Sequence, residues 1–216
     1  AVGREVTFSF RTRAPSVEDA WPGEGSSVLA PGRPVLVVFD QPVDPATVAR
    51  LAVLEDADGR RLPLSGATPP EEEDDWRLPR DRTRAVHLTA ALERDRAYVL
   101  TIPAGTPGRE GDRGTPADFR RGFRTIPPAA ITGLQPQGSA VDPYAVLVLQ
   151  LATETASEEL NGRIHLSPEP PDPWSPADGY TSDRWSHGLR LLPTTTYTVT
   201  VDPGATDVHG QAYAAG

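Results

Sequence analysis

The chain has 216 residues, 38% hydrophobic and 24% charged, with no cysteine, no methionine and a formal net charge of -9. That length suffices for two domains of ordinary size, and the missing cysteine excludes a disulfide framework, thiolate zinc sites and a cysteine nucleophile. Residues 128–216 hold ten acids against Arg163, Arg184 and Arg190, the opposite of the basic stripe of a nucleic-acid binder, and no apolar run reaches the 18 or so residues that span a bilayer.

The first element predicted is a strand at residues 4–12, where Val6, Phe8 and Phe10 alternate with Thr7, Ser9 and Arg11. Residues 15–34 read as turns, from Trp21-Pro22-Gly23 and Ala30-Pro31-Gly32, with a short edge strand at Ser26–Leu29. Val35-Leu36-Val37-Val38-Phe39 is the strongest strand of the first half. After it, Asp44 followed by Pro45 is the pattern of a helix N-cap with proline at the first helical position, so one helical turn is expected through Val48 and Leu51. Asp56-Ala57-Asp58-Gly59-Arg60 signals a hairpin between Val53-Leu54 and Arg61-Leu62.

Five consecutive acids, Glu71 to Asp75, repel one another, and with Trp76 beside them predict an exposed loop across residues 69–84. Strands follow at Ala85–Leu88 and Ala97–Ile102, and a Gly/Pro loop leads to a strand at Phe119–Thr125. The order then recurs: a strand at Ala145–Leu151, a turn at Glu158-Glu159-Leu160, Gly162–Pro168, a Pro-rich stretch with Trp174, and strands at Gly188–Leu192 and Thr196–Val201. Phe8-Ser9-Phe10-Arg11-Thr12 and Gly122-Phe123-Arg124-Thr125 are two copies of one phrase, each followed by turns and then a long apolar run. A repeat of roughly 100 residues, bounded by a strand that runs into proline, predicts serially linked β-sandwiches.

The expected organisation is a closing-type strand of an upstream module at 1–13, one sandwich at 14–127 and a second at 128–216 that lacks its closing strand. Alternation assigns the first core to Val35, Val37, Phe39, Tyr98, Leu100 and Ile102, and the second to Val146, Val148, Leu191, Tyr197, Val199 and Val201. No chemistry stands out. His87, His165, His187 and His209 are scattered without metal or catalytic spacing, and read as structural or solvent residues. The acidic run lacks the oxygen spacing and turning glycine of a calcium loop. Asp183, Asp202 and Asp207 are weighed as ion ligands against a turn role for Asp207 before Gly210, and Trp76, Trp174 and Trp185 as a sugar-stacking platform against core plugs. In each case the structural role is preferred, so no catalytic, cofactor or metal residue is expected and the chain is read as no enzyme.

Pro34-Val35-Leu36-Val37-Val38-Phe39-Asp40-Gln41-Pro42-Val43-Asp44-Pro45-Ala46-Thr47-Val48 resembles the opening signature of N-terminal Ig-like modules in the bacterial α2-macroglobulin family. Leu166–Pro171, Leu192–Val201 and Thr206-Asp207-Val208-His209-Gly210-Gln211 are similar to later strands and the Asp-x-x-Gly-Gln turn of those modules, and SbsA-type bacterial Ig-like domains share part of the pattern. The resemblance implies two tandem antiparallel Ig-like β-sandwiches, all-β, serving as non-catalytic scaffold in an exported bacterial protease trap. It implies no cofactor; partners would be the other modules of the parent, with proteases as indirect targets. The alternatives are stalk or binding modules of a cell-surface protein, or an accessory carbohydrate-binding array of a secreted hydrolase.

Overall fold

The structure, a computed structural model, describes residues 8–9, 13–137, 144–172 and 179–213. The strand expected at 4–12 lies, apart from Phe8 and Ser9, outside them, and so does Trp174. The chain divides into two compact units, Ala1–Thr125 and Ile126–Gly216. Its sheets are antiparallel and its helices few, an all-β architecture.

The first unit contains, in chain order, β1 (Val17–Trp21), β2 (Val35–Phe39), helix α1 (Pro45–Leu51), β3 (Val53–Asp56), β4 (Arg61–Leu62), β5 (Ser65–Ala67), β6 (Ala85–Thr89), β7 (Ala97–Ile102) and β8 (Phe119–Arg124). Two four-stranded sheets form, β1-β2-β6-β5 and β4-β3-β7-β8. Between them lie Val35, Val37 and Phe39 from one sheet and Leu54, Tyr98, Leu100, Ile102 and Phe123 from the other, as the alternation of β2 and β7 predicts. Each such side chain contributes about 1.5–3 kcal/mol by leaving water.

Strand β2 reads as an unbroken apolar run because both its faces are covered. Leu36 and Val38 point away from the main core and pack with Leu78, Ala85 and Trp21. Leu78 comes from the loop that carries the five acids, so that loop is more than a solvated excursion: Glu71, Glu72 and Asp74 are exposed, but Glu73 and Asp75 are half-buried. Helix α1 forms as its cap dictates, with the Asp44 carboxylate accepting the Thr47 backbone N–H at 3.0 Å and the Thr47 hydroxyl at 2.5 Å.

Strand β1 corrects the sequence reading, which placed turns there and an edge strand at Ser26–Leu29; only Leu29 makes a bridge, to Thr125. Charged residues are at home on an edge strand. Glu18 pairs with Arg84 at 2.5 Å, Asp19 lies 3.6 Å from Arg121, and β1 runs through a bulge between Val17 and Asp19.

The second unit contains β9 (Ile131–Gln137), β10 (Tyr144–Ala156), a short helix α2 (Ser157–Leu160), β11 (Ile164–Ser167), β12 (Thr181–Arg190) and β13 (Thr198–Val201). Its sheets are β12-β10-β9 and β11-β13. Leu147, Leu149 and Leu151 of β10 pack with Leu160, Ile164, Trp185, Leu189, Ala205 and Tyr213 in one buried cluster. This corrects the expected core. Val146 is 39% exposed, and Val148, although buried, lies on the other face of β10 from that cluster; alternation defines two faces without saying which one is covered. Leu191, Val199 and Val201 do pack against the cluster, half-buried.

Candidate functional site

The loop over the outer face of β2 brings aromatic and charged side chains together. Trp76 is 90% exposed at its tip. The Arg77 guanidinium stacks 4.3 Å from the ring of Trp21 and 5.8 Å from that of Trp76, an arrangement that joins the half-buried end of edge strand β1 to an exposed aromatic through a cation. Arg77 also donates to Asp75 from its backbone N–H at 3.0 Å and from Nε at 2.8 Å. That side-chain hydrogen bond, outweighing burial, holds the Asp75 carboxyl below its ordinary range.

Next to this pair, His87 on β6 lies 3.7 Å from the Glu73 carboxylate, and Arg82 Nη2 donates to the Glu73 carbonyl oxygen at 2.8 Å. Burial pushes the His87 imidazole below its ordinary value more strongly than Glu73 and Asp75 raise it, so the ring is neutral at pH 7. The loop encloses a shallow, open depression of about 590 Å³, walled by Thr68, Pro69, Leu78, Pro79 and Arg80 among others. Asp81 lies in its wall, but its carboxylate is committed to the Thr83 backbone N–H and hydroxyl at 3.1 and 2.6 Å. The groups here are arranged to hold a loop in place; none pairs a nucleophile with a base.

Of the tryptophans weighed in the sequence, Trp76 is presented to solvent as a platform would require. Trp185 is 5% exposed inside the second core, which is the plug role. The sequence points to Trp76 but not to Trp21 or Arg77; the adjacent Trp76-Arg77 pair is the available signal, and Trp21 is brought in only by tertiary folding. His165 lies 2.9 Å from Asp202 on the surface, His209 is exposed in a turn, and the side chain of His187 lies outside the described residues. Asp183, Asp202 and Asp207 do not converge: Asp207 is buried and its carboxylate accepts the His209 and Gln211 backbone N–H groups at 2.9 and 2.7 Å and Gln211 Nε2 at 2.7 Å. Among the described residues no group of three or more His, Asp or Glu is placed to hold a metal ion, and no helix is long and apolar enough to cross a membrane.

The Asp207 turn has a counterpart in the first unit. Asp56, also buried, accepts the Asp58 and Arg60 backbone N–H groups at 3.0 and 2.9 Å and Arg60 Nε at 3.0 Å. Arg96 adds Nη2 to Asp56 at 3.0 Å and a second contact to Asp58. Burial opposes the charged form of Asp56, but the N–H groups of Arg60 and Asp58 together with Arg96 outweigh it, and the carboxyl stays below its ordinary range.

A second counterpart is more telling. The Tyr98 hydroxyl accepts the backbone N–H of Glu93 at 2.8 Å, and the Tyr197 hydroxyl accepts that of Leu192 at 2.9 Å; in both units the donor lies five residues upstream. Three residues before each tyrosine the backbone turns into the left-handed region, at Asp95 (φ 52°) and Thr194 (φ 51°). A tyrosine that ties its own strand to the preceding loop is a recurrent corner of Greek-key sandwiches.

Set against known proteins, residues 11–125 match the family model described as "Bacterial Ig-like domain". No curated protein matches the chain.

Proposed function

Because the chain belongs to the bacterial Ig-like domain family, we propose that it is a pair of non-catalytic scaffold modules that space and hold other parts of a larger exported bacterial protein. Domains of this family are typically non-catalytic and occur in extracellular and surface proteins of bacteria. The observation that carries the reading is the shared corner at Tyr98 and Tyr197, which supports a second module of the same kind outside the matched residues. Two like modules in series, whose polar clusters are spent on their own turns and loops, suit a spacer better than a site of chemistry.

Two parents fit such a spacer. The family match favours the stalk of a cell-surface protein; the resemblance of Pro34–Val48 carries the finer reading, a scaffold piece of a macroglobulin-like protease trap. The test is a module exchange in the parent protein. Replacing residues 13–213 by two unrelated sandwiches of equal length should preserve the parent's activity, while replacing them by a short flexible linker should abolish it. Activity lost with the length-matched exchange, or specific binding of the isolated chain on a glycan or peptide array, overturns the spacer reading.

A further inference from the structure

On one flank of the first unit lie the last strands of both its sheets, β1 of the order β1-β2-β6-β5 and β8 of the order β4-β3-β7-β8. Across that flank Asp19 of β1 lies 3.6 Å from Arg121 of β8. The last strand of a sheet presents a row of backbone N–H and C=O groups, a template on which another chain can pair. At β8 the chain itself occupies the template. Between two buried anchors, Pro22 and Leu29, the Gly25 N–H donates to the Gly122 carbonyl oxygen at 2.8 Å and the Ser26 carbonyl oxygen accepts the Arg124 N–H at 2.8 Å. The Gly122 N–H donates to the Glu24 carboxylate at 2.9 Å, and Leu29 bridges Thr125 in parallel. A Cβ on Gly122 would lie 2.9 Å from Glu24 Oε1, so the glycine leaves room for that carboxylate. Residues 23–28 belong to no strand and turn at Gly25, with φ 69°; they cover β8 without offering a ladder of their own. Strand β1 is guarded in a similar way. Its Ala20 N–H donates to the Asp19 carboxylate at 2.7 Å, and its pairing with β2 is bulged between Val17 and Asp19; bulges and charges on a last strand oppose strand addition.

We propose that residues 23–26 are a strap that keeps the edge of β8 shut against a second copy of this chain, and that the same flank of that second copy is what β8 takes when the strap is lifted. Charge selects the strand that would pair. Strand β8 carries Arg120, Arg121 and Arg124, so two β8 edges laid together would set arginine against arginine. Strand β1 carries Glu18 and Asp19 and is the complement of that row. Because β1 and β8 border one flank, β8 of the first copy meeting β1 of the second brings the reciprocal pair face to face as well. The contact uses the same surface on both copies and closes as a two-fold dimer. In the strapped chain such an addition has nothing to start from at Gly122, whose N–H is held by Glu24 and whose carbonyl oxygen is held by Gly25. Glu24, Gly25, Ser27 and Val28 are exposed, so a change in the strap can lift it while the core beneath stays packed.

The inference stands on the bonds along β8 and is independent of the spacing role. Its test is the solution mass of the full chain across a concentration series, together with hydrogen exchange at Gly122 and Arg124. The unaltered chain should keep the mass of one copy and exchange slowly at both amides. Gly25→Pro removes the donor to Gly122 and cannot adopt the φ of 69° found there. When dilute, that variant should exchange about tenfold or more faster at Gly122 and Arg124; at high concentration its mass should double and both amides regain protection. Exchange at Tyr98 and Leu100 reports that the unit remains folded. Glu24→Ala, which leaves the backbone of the strap untouched, is a second variant: exchange should quicken at Gly122, and pairing should begin at a higher concentration than in Gly25→Pro. Gly32→Pro, a like change at φ 87° outside the strap, should leave mass and exchange at β8 as they are in the unaltered chain. An unaltered chain that pairs as readily as Gly25→Pro, strap variants that stay single at every concentration, or an assembly in which Gly122 and Arg124 remain unprotected would each overturn the proposal.

Discussion

Replacing Tyr98 by phenylalanine removes one hydroxyl and little else, because the ring keeps its stack on Phe123 at 5.7 Å. The hydroxyl accepts the Glu93 backbone N–H at 2.8 Å, and Tyr98 is only 1% exposed. A hydrogen bond contributes about 0.5–1.5 kcal/mol net, and this one is partly buried although Glu93 itself is exposed. Tyr98→Phe should therefore destabilise the first unit by about 0.5–1.5 kcal/mol. The same change at Tyr197 removes an equivalent bond to Leu192, but there the bond is exposed and the tyrosine half-exposed. Water can take the place of the lost acceptor, so Tyr197→Phe should cost about 0.5 kcal/mol or less. Urea unfolding of the full-length variants, with hydrogen exchange assigning each transition to its unit, measures both. If Tyr98→Phe costs no more than Tyr197→Phe, the hydroxyl does not hold the corner and the reasoning fails.

Leu149→Ala, in the second core, should cost about 2–5 kcal/mol, while Val146→Ala on the exposed face of β10 should stay within about 0.5 kcal/mol; equal losses in urea unfolding would contradict the assignment of faces. A Cβ on Gly66 of β5 would lie 2.2 Å from the Pro45 carbonyl oxygen of α1, whereas one on Gly23 meets nothing within 4 Å. Gly66→Ala should thus destabilise by about 1–3 kcal/mol and Gly23→Ala leave unfolding nearly unchanged, as thermal scans will show. Asp56 has its folded carboxyl pKa held below the ordinary 3.8, so its contribution is present above about pH 4 and is lost as pH falls below that value. Urea midpoints taken from pH 7 down to 3 should fall less steeply in Asp56→Asn than in the unaltered chain, and parallel profiles would refute the linkage.

The elements legible in the sequence are those whose local signal and tertiary role coincide. Strand β2 announces itself because both its faces are buried, and α1 because Asp44 and Pro45 encode its start. Strands β1 and β5 were missed for the opposite reason: they lie at the ends of their sheet order, one carries Glu18 and Asp19, the other spans three residues around Gly66, and only their neighbours make them strands. Period-two alternation in β10 identified two faces correctly and the core on the wrong one, because the choice is made by Trp185 and Tyr213, far along the chain. The candidate loop shows the same division. Its acids and Trp76 are visible in sequence, but the anchoring by Leu78 and the stacking of Arg77 on Trp21 depend on a sheet face that local sequence does not reveal.

Thr125, the last residue of the first unit, is fully buried. Its backbone N–H donates to the Arg96 carbonyl oxygen at 3.0 Å, its hydroxyl donates to the Glu93 carbonyl oxygen at 2.6 Å, and the same hydroxyl accepts the Arg96 N–H at 3.0 Å. Beyond its bridge to Leu29, this one residue thus ties the exit of the first unit to residues 93–96 through both its backbone and its side chain. Those residues are the loop that the Tyr98 hydroxyl holds from its other side. The end of β8 and the start of β7 are thus fastened to the same four residues, and tension applied at Thr125 acts on those bonds together with the pairing of β8 to β7.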